Sequence, residues 1–370
     1  AVAGAVPAAA AQDAPAAADA RGDVVVIGKR LRGSAIGEVA PVAALDAQAL
    51  RALGASNMKE LADRLKPLAQ SVTGEDPAYL LNGRRVSGFA EVQNLPLEAI
   101  ERTEILSEQD APRFGFSPTV RVMNVITKKH FRALSTVQVS GTTTAGGGAT
   151  SYSEATATRI DDARRASLTL SYFHFTPVLQ SQRDIAADPD TPFSLAGTVA
   201  RADGGSIDPR LDALAGRTVT RAAVPADPAL RGVPAAYRAA AGSADINPYR
   251  TLQSRVDTLR IDGTIGAPLS RTVDASLNIN AEGQRQGALT GLAPVTLAVP
   301  AGNGALPFGD DLLLSRFLPG DPLRQRATSL TLHAGATVQG GWGDWAWNVT
   351  GNYDRARQAV RSDQALAPGE

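Results

Sequence analysis

Beyond Leu134 the sequence alternates between apolar and polar residues with a period of two. The pattern is clearest at 273–282, where Leu277 and Ile279 alternate with Asn278 and Asn280. A period of two places successive side chains on opposite faces of a strand, so the segment predicts a strand with one apolar face. Similar segments lie near 135–145, 150–160, 166–176, 258–265, 329–338 and 345–354. The chain beyond residue 130 therefore predicts seven such strands.

The length and chemistry of these segments favour a membrane barrel over a soluble sandwich. They are about ten residues long, as in strands that cross an outer membrane. Their apolar positions are small and aliphatic, whereas the inner face of a sandwich is usually large and aliphatic. Trp342, Trp345 and Trp347 lie beside a short turn, as expected for an aromatic girdle at a membrane interface.

The connections between these strands differ strongly in length. Short turns alternate with long insertions at 177–250 and 287–326, which are rich in proline and glycine. Short turns on one side and long loops on the other are typical of outer-membrane barrels. We therefore expect the two insertions to face the outside of the cell. No apolar run reaches the roughly 18 to 20 residues of a membrane-spanning helix, so a barrel is the expected way to enter a membrane.

A different architecture is predicted before residue 130. Two β-prone runs, 78–86 and 120–129, flank a charged stretch and a glycine-aromatic loop, and the first folds back at Asn82 and Gly83. Upstream, a strand and two short helices are expected. Asp46 caps a helix over 47–53, and Ser56 caps a second helix that ends at Pro67. This part predicts a small α+β domain with a mixed sheet.

The order of motifs in this domain resembles the plug domain of TonB-dependent outer-membrane receptors. The residues that agree with the plug pattern are Leu95 and Pro96, 99–102, 104–106, Phe114 and Gly115, and 124–129. The chain departs from that pattern at Asn82, where the family carries aspartate, at 107–112, and at 121–123, where a pair of glycines is usual. The resemblance implies a plug over 31–130, followed over 131–370 by part of a transmembrane barrel. Because family members close at about 22 strands, seven antiparallel strands imply an incomplete barrel.

The resemblance also implies roles for particular residues. The β-prone segment 23–30 lies where the family carries its TonB box, an extended segment that adds a strand to its partner. The predicted TonB contacts are Asp23, Val24, Val25, Val26 and Ile27. We expect Glu101, Arg102 and Glu104 to lock the plug to arginines of the barrel. Arg260 and Arg285 are the candidate partners. The expected ligand-contact residues are Asn82, Arg84, Arg85, Phe89, Arg113, Phe114 and Phe116.

Composition excludes several classes of function. The net charge is zero, so nucleic acid is not an expected partner, and the absence of cysteine excludes disulfides and thiolate metal sites. The three histidines form no metal-binding motif, and no nucleotide-binding or hydrolase motif is present. We expect no enzymatic activity, no cofactor and no bound metal. Residues 1–22 are expected to be the end of an export signal followed by a spacer, or a low-complexity linker.

Together with the alternating strands, the resemblance therefore implies a receptor in the outer membrane of a Gram-negative bacterium. Its expected partners are TonB, membrane lipid and an extracellular small molecule or metal chelate. As the resemblance implies, the ligand would be a siderophore-iron complex, cobalamin or an oligosaccharide, imported when TonB pulls on the N-terminal segment. Two alternatives stay open: a passive, signalling or structural barrel without TonB-driven transport, and a secreted soluble β-rich enzyme or sugar-binding module.

Overall fold

The computed structural model describes residues 32–34, 41–186, 191–240, 242–343 and 345–365. The segments predicted at 1–22 and 23–30, with the TonB contacts 23–27, lie outside the described residues. Residues 41–129 form a compact α+β body, which we call the N-terminal unit. The remainder is dominated by one large antiparallel sheet.

The N-terminal unit contains two helices and five short strands. In chain order these are β1 (Ala43–Asp46), α1 (Ala47–Ala52), α2 (Met58–Ala69), β2 (Ala78–Leu81), β3 (Arg84–Arg85), β4 (Ile100–Leu106) and β5 (Val122–Thr127). The strand order is β1-β4-β5-β2-β3, and β2 runs parallel to β5 while the other neighbours are antiparallel. The predicted mixed sheet is therefore present. The hairpin between β2 and β3 turns at Asn82 and Gly83, whose φ angles are 54° and 78°.

The helix caps differ in part from the prediction. Asp46 caps α1 as expected, accepting hydrogen bonds from the amides of Gln48 and Ala49. The cap of α2 is Asn57, so the prediction of Ser56 was wrong by one residue; Asn57 accepts from the amide of Glu60.

Pro67 does not end α2, which continues to Ala69. A proline inside a helix removes one backbone hydrogen bond. The burial of Leu65 and Ala69 explains why the helix continues, because these residues pack into the core on either side of Pro67.

The core of the N-terminal unit lies between its helices and its sheet. The apolar face of α2 is buried at Met58, Leu61 and Leu65, which recur at helical spacing. These side chains pack against Ile105 and Met123 of the central strands. The unit therefore has an apolar core of its own.

Beyond residue 129 the structure has long strands, which exceed the predicted alternating segments, and short strands of two to six residues. They are β6 (His130–Gly141), β7 (Thr150–Asp161), β8 (Arg164–Phe175), β9 (Val178–Leu179), β10 (Thr198–Ala200), β11 (Arg221–Ala223), β12 (Thr251–Gln253), β13 (Arg255–Pro268), β14 (Val273–Gly291), β15 (Pro294–Val299), β16 (Leu312–Phe317), β17 (Leu323–Trp342) and β18 (Trp345–Ser362). One helix, α3 (Pro209–Ala215), lies among them. Seven of these strands form a single sheet in the order β18-β17-β14-β13-β8-β7-β6.

The seven-stranded sheet has one apolar and one polar face. Residues directly opposite each other on paired strands project to the same face. Leu170 of β8 is paired with Ile261 of β13, which is paired with Ala281 of β14. The next row joins Thr169, Asp262 and Asn280 on the opposite face. The alternation in the sequence therefore predicts the faces of β8, β13, β14, β17 and β18.

The first strand of the sheet departs from this rule. The sequence pattern placed Val137 and Val139 on the apolar face, but they are paired with Glu154 and Tyr152, on the polar face. Leu134 lies on the apolar face, opposite Ala157. The apolar residues of β6 therefore change faces between positions 134 and 137, which a period of two cannot represent.

The two long insertions are not loops without regular structure. The connections run over 176–254 and 292–322 instead of the predicted 177–250 and 287–326, because β13 begins at Arg255 and β14 extends to Gly291. Strands β10 and β11 of the first insertion join β16 and β15 of the second in one sheet of order β11-β10-β16-β15. Their common core includes Val199, Ile207 and Leu211, and Tyr237 packs edge-on against Phe308 at 4.8 Å. We call this body the insertion subdomain.

Among the described residues, no helix is both long and apolar enough to cross a lipid bilayer.

Truncation of Leu61 to alanine should destabilise the N-terminal unit. Leu61 is fully buried, and the cavity left by such a change costs about 2–5 kcal/mol. Hydrogen exchange of β4 and β5 in the full chain should show their opening free energy lowered by that amount. The control is Leu68 of the same helix, which is 49% exposed and whose truncation should change the opening free energy by less than about 0.5 kcal/mol.

Candidate functional site

The N-terminal unit lies against the polar face of the seven-stranded sheet. The contact is made by the segment 84–91, which includes β3 and a short 3-10 turn at Phe89–Glu91. Its partners lie on four strands of the sheet, β8, β13, β14 and β17. We call this contact the unit–sheet interface.

A buried ion pair lies at the centre of the interface. Glu91 has a side chain with no exposed surface and accepts a hydrogen bond from Arg165 of β8. Its second oxygen accepts from the amide of Ser87 at 2.8 Å and lies 2.9 Å from the Ser87 hydroxyl oxygen, so both oxygens have polar partners. Gly266 of β13 lies beside Arg165, and a Cβ there would be 2.8 Å from the guanidinium carbon. The glycine therefore leaves the space that the arginine occupies.

Further polar contacts flank this pair. Arg84 forms an ion pair with Asp274 of β14, and the Ser87 hydroxyl donates to Asn278 at 2.7 Å. Arg85 and Gln339 of β17 exchange two hydrogen bonds of 3.2 Å through the backbone of Arg85. A polar cavity of about 290 Å³ borders Arg84 and Asp274.

The apolar contribution of the sheet to this contact is small. Ile160 of β7 is buried with the core of the N-terminal unit, and Phe131 of β6 packs on that core. The other contacts of the interface are hydrogen bonds and ion pairs between polar groups, and in several of them at least one group is charged. Hydrogen bonds to charged groups contribute about 1.5–3 kcal/mol each. The interface is therefore held mainly by polar pairs, which can exchange with water one at a time.

The predicted locking residues face a different partner from the one expected. Glu101 accepts from Arg32 at 2.7 Å, and Arg102 donates to the carbonyl of Arg32 at 2.6 Å. Ser34 donates to Glu104 at 2.8 Å. Glu101, Arg102 and Glu104 thus attach residues 32–34 to β4. We call this cluster the N-terminal latch.

The candidate barrel partners are placed elsewhere. Arg260 lies on the polar face and donates to Glu282 of the neighbouring strand at 2.9 Å. Arg285 lies on the apolar side, in the same row as Asp257 of β13. The prediction that these two arginines pair with the latch residues was therefore wrong. Arg260 has an acidic neighbour on the adjacent strand, and strand register places Arg285 on the apolar side.

Glu104 is the most buried acid of the latch. Burial alone would raise its pKa, but hydrogen bonds from Ser34, Arg102 and Asn124, with the charge of Arg102, lower the pKa below its usual 4.5. Asn124 donates to Glu104 at 3.1 Å and to the carbonyl of Gly33 at 2.9 Å. Glu104 is therefore held ionised where residues 32–34 meet the sheet.

Two of the predicted ligand contacts are committed to internal bonds. The Asn82 side chain accepts from the Thr127 amide at 2.9 Å and donates to the Thr127 hydroxyl at 3.0 Å. Arg84 is paired with Asp274, close to the short turn before β14. Both lie at the end of the sheet away from the insertion subdomain. Ligand contact by Asn82 and Arg84 stays a prediction.

The aromatic members of the predicted set lie near one another. The Arg85 guanidinium stacks on the ring of Phe116 at 4.2 Å and donates to the carbonyl of Gly115 at 2.9 Å. Phe114 is partly buried behind this pair, and Phe89 packs on Tyr79 at 4.7 Å. Arg113 is exposed beside Asp110. Ligand contact by these five residues stays a prediction.

Sequence reasoning missed the residues that make the interface. Glu91, Arg165 and Asn278 are far apart in sequence and match no motif. The only signal in the sequence is that Arg165 and Asn278 fall at polar positions of alternating strands. Strand register and docking are needed to bring them together.

One group of side chains has the geometry of a metal site. His130, Asp161 and Asp162, at the turn between β7 and β8, place ligand atoms within 4.8 Å of one another. His130 already contacts Asp161 at 2.9 Å, and Arg159 lies 3.8 Å from the same carboxylate. The nearby cation reduces the negative charge that would attract a metal ion.

No protein-family model and no curated protein matches the chain. Among matching solved structures, the ferric preacinetobactin receptor BauA from Acinetobacter baumannii is 10% identical, with a TM-score of 0.31, over 88% of this chain and 48% of that one. A variant of the ferric enterobactin receptor PfeA from Pseudomonas aeruginosa, in complex with enterobactin, is 14% identical, with a TM-score of 0.29, over 85% and 41%. The siderophore receptor PirA from the same species is 12% identical, with a TM-score of 0.28, over 86% and 50%.

The chain spans half the length or less of these three receptors. Likeness at these TM-scores carries no weight for function, which rests on the contacts of the chain itself.

Removal of one member of the central ion pair should loosen the interface. Glu91→Ala leaves the charge of Arg165 without its partner, which costs about 3–5 kcal/mol. Hydrogen exchange should show faster opening of the segment 84–91 in the full chain. Glu98→Ala, at an exposed position of the same unit, is the control and should leave exchange unchanged.

A double replacement separates charge from packing. Glu91→Leu with Arg165→Leu removes both charges together, and such apolar replacements are often neutral. The double variant should recover most of the protection lost in Glu91→Ala. Equal loss in both variants would contradict a role for the unpaired charge.

The latch should weaken in acid. Because folding lowers the pKa of Glu104, its contribution is present above the unfolded pKa of about 4.5 and is lost as pH falls below that value. The difference in unfolding free energy between the native chain and Glu104→Gln should shrink as pH falls from 6 to below about 4.5. The difference in unfolding free energy between the native chain and Glu98→Gln should not shrink in this way over the same pH range.

Proposed function

We propose that this chain is part of a TonB-dependent receptor of the Gram-negative outer membrane. In this proposal the seven-stranded sheet is part of the barrel wall, and the N-terminal unit is the plug that closes its lumen. The receptor binds a scarce small molecule or metal chelate outside the cell, of the siderophore-iron, cobalamin or oligosaccharide class. It imports that ligand when TonB draws on the N-terminal segment.

The observation that carries this proposal is the inverted polarity of the seven-stranded sheet. On its apolar face, Leu168 is 53% exposed and Trp342 is 84% exposed. On its polar face, Asn278 is fully buried and Thr337 is 1% exposed. A soluble protein buries its apolar side chains, whereas the wall of a membrane barrel turns them toward lipid. The apolar positions of β14 run from Val273 to Ala281, about 27 Å along the strand, close to the height of a lipid-facing band.

The unit–sheet interface supports a gating role for the N-terminal unit. Polar and charged pairs resist separation less cooperatively than an apolar core, because water can replace each bond as it breaks. Such a contact suits a body that must stay in place at rest and shift under load. The Glu91–Arg165 pair is the strongest candidate for the resting lock, since it is the buried charge pair of the interface.

The N-terminal latch supports energy coupling through the predicted TonB segment. Residues 32–34 follow that segment by a few positions and are bonded to Glu101, Arg102 and Glu104. A pull applied at 23–27 would reach the latch before it reached the interface. The latch is thus suited to pass force into β4, the strand between β1 and β5.

Deletion of residues 23–27 should abolish uptake without removing the protein from the outer membrane. In the full-length receptor, we expect ligand binding at the cell surface to remain while energy-dependent uptake of the cognate radiolabelled ligand falls to background. The matched control deletes five residues from the spacer at 13–17. It should leave uptake within about twofold, since the closure entropy of a linker changes little with a small change in its length.

The outcomes distinguish the proposal from its alternatives. Uptake that survives the deletion of 23–27 would favour a passive barrel. Surface binding with no uptake in the native protein would favour a signalling or structural role. Recovery of the full-length protein in the soluble periplasmic fraction would refute the membrane assignment altogether.

A further inference from the structure

A series of side-chain hydrogen bonds leads along the polar face of the sheet into the unit–sheet interface. Asn280 of β14 donates to Asp262 of β13, and Asn278 donates to the Oδ1 atom of Asn280 at 3.2 Å. Ser87 of the N-terminal unit donates to the Oδ1 atom of Asn278 at 2.7 Å. We call these four residues the polar chain.

The polar chain is enclosed by the described residues themselves. Asn278 is fully buried, and Asp262 is 8% exposed. Strands β13 and β14, which carry the sheet members of the chain, each pair with a strand on either side. Asp262 also borders a small cavity between the unit and the sheet, together with Glu91 and Arg165. Because water has little access, each side chain depends on its neighbours in the chain for hydrogen bonds.

Asp262 fixes the direction of the polar chain. A carboxylate accepts hydrogen bonds and donates none, so Asn280 must turn its NH2 group toward Asp262. The Oδ1 atom of Asn280 then faces Asn278, which must donate through its own NH2 group. The Oδ1 atom of Asn278 therefore faces Ser87 and takes the hydroxyl hydrogen.

The Ser87 hydroxyl has one hydrogen to donate and two acceptors within reach. Its oxygen lies 2.7 Å from Asn278 Oδ1 and 2.9 Å from a carboxylate oxygen of Glu91. With the hydrogen given to Asn278, the oxygens of Ser87 and Glu91 face each other with no hydrogen between them. In the reverse direction, Asn278 would donate to Ser87 and Ser87 would donate to Glu91, so both contacts would be hydrogen bonds.

The missing bond lowers the cost of opening the interface. A buried carboxylate that lacks a donor gains one from water when it is exposed, and this gain offsets part of the free energy lost on opening. Glu91 is such a carboxylate in the direction that Asp262 imposes. The reverse direction would supply the donor inside the closed interface, and opening would then bring no such gain.

We propose that Asp262 is a positioning residue that keeps the Glu91–Arg165 pair releasable by fixing the direction of the polar chain. Asp262 acts through Asn280 and Asn278, since no hydrogen bond among the described residues joins it to Glu91 or Arg165. The two directions form a two-state element, because each amide in the chain can reverse only if its neighbours reverse too. The coupling follows from these bonds, whereas its use in transport rests on the proposed function.

The variant Asp262→Asn tests the coupling in the purified full-length receptor. An amide can donate as well as accept, so this variant permits the reverse direction at almost unchanged volume. Hydrogen exchange of the segment 84–91 should show opening at least about fivefold slower than in the native receptor, as expected for one added hydrogen bond to a charged group. Asp262→Thr, whose hydroxyl can also donate, should slow opening in the same direction and provides a second, independent variant.

A double-mutant cycle separates the polar chain from other effects of the lost charge. Ser87→Ala removes the hydroxyl, so adding Asp262→Asn in that background should change opening by less than about twofold. Within the described residues, the hydrogen bonds link Ser87 to Asp262 through the two asparagines. Coupling between these two positions therefore reports on the chain.

The matched control is Glu154→Gln. Glu154 lies on the polar face of β7 and is bonded to Tyr152, so this variant removes one negative charge from the same face and leaves the polar chain intact. Opening of the segment 84–91 should stay within about twofold of the native receptor.

The outcomes distinguish this inference from the proposed function. Opening that is unchanged or faster in Asp262→Asn would overturn the inference. Equal slowing in Glu154→Gln would reduce the effect to charge on the polar face, and slowing that persists with Ser87→Ala would show that it bypasses the polar chain; either result overturns it. Recovery of the receptor in the soluble periplasmic fraction would overturn the proposed function and leave the coupling in place.

Discussion

The pairing register of the seven-stranded sheet is the constraint on which the rest of the structure depends. Because opposite residues share a face, one register assigns every side chain of a strand pair to one side or the other. Leu170, Ile261 and Ala281 fall in one row, and Thr169, Asp262 and Asn280 fall in the next. A slip by one residue would place polar groups on the exposed apolar face and leucines against the N-terminal unit. The exposed apolar band and the polar docking surface are thus two results of a single register.

The N-terminal unit combines two kinds of stability. Inside, it has an apolar core around Leu61 and Met123, so it can keep its shape while it moves. Outside, it is attached through Glu91, Arg84 and the backbone of Arg85, where single bonds can break separately. A body that is internally apolar and externally polar can shift as a unit. This distribution of forces is consistent with the gating role proposed for the unit.

Much of the architecture could be predicted from the sequence, because it is encoded by local patterns. The period of two identified the seven strands, Asp46 marked the start of a helix, and Asn82 with Gly83 marked a hairpin. Strand ends were less predictable, since the pattern fades where β14 and β17 continue past the apolar band. The site was mostly unpredictable. Glu91 and Arg165 meet only through docking, and the latch residues face a segment whose position no motif specifies.

Strands from both insertions share one sheet in the insertion subdomain, so the two insertions are mechanically coupled. Strands from two insertions are hydrogen-bonded through Thr198 and Ser315, and a common core lies beneath them. Neither insertion can therefore rearrange without breaking its hydrogen bonds and core contacts with the other. A displacement of one insertion is therefore transmitted to the other, and the chain connections link both insertions to the ends of β8, β13, β14 and β17. The insertion subdomain thus couples the ends of four strands of the seven-stranded sheet.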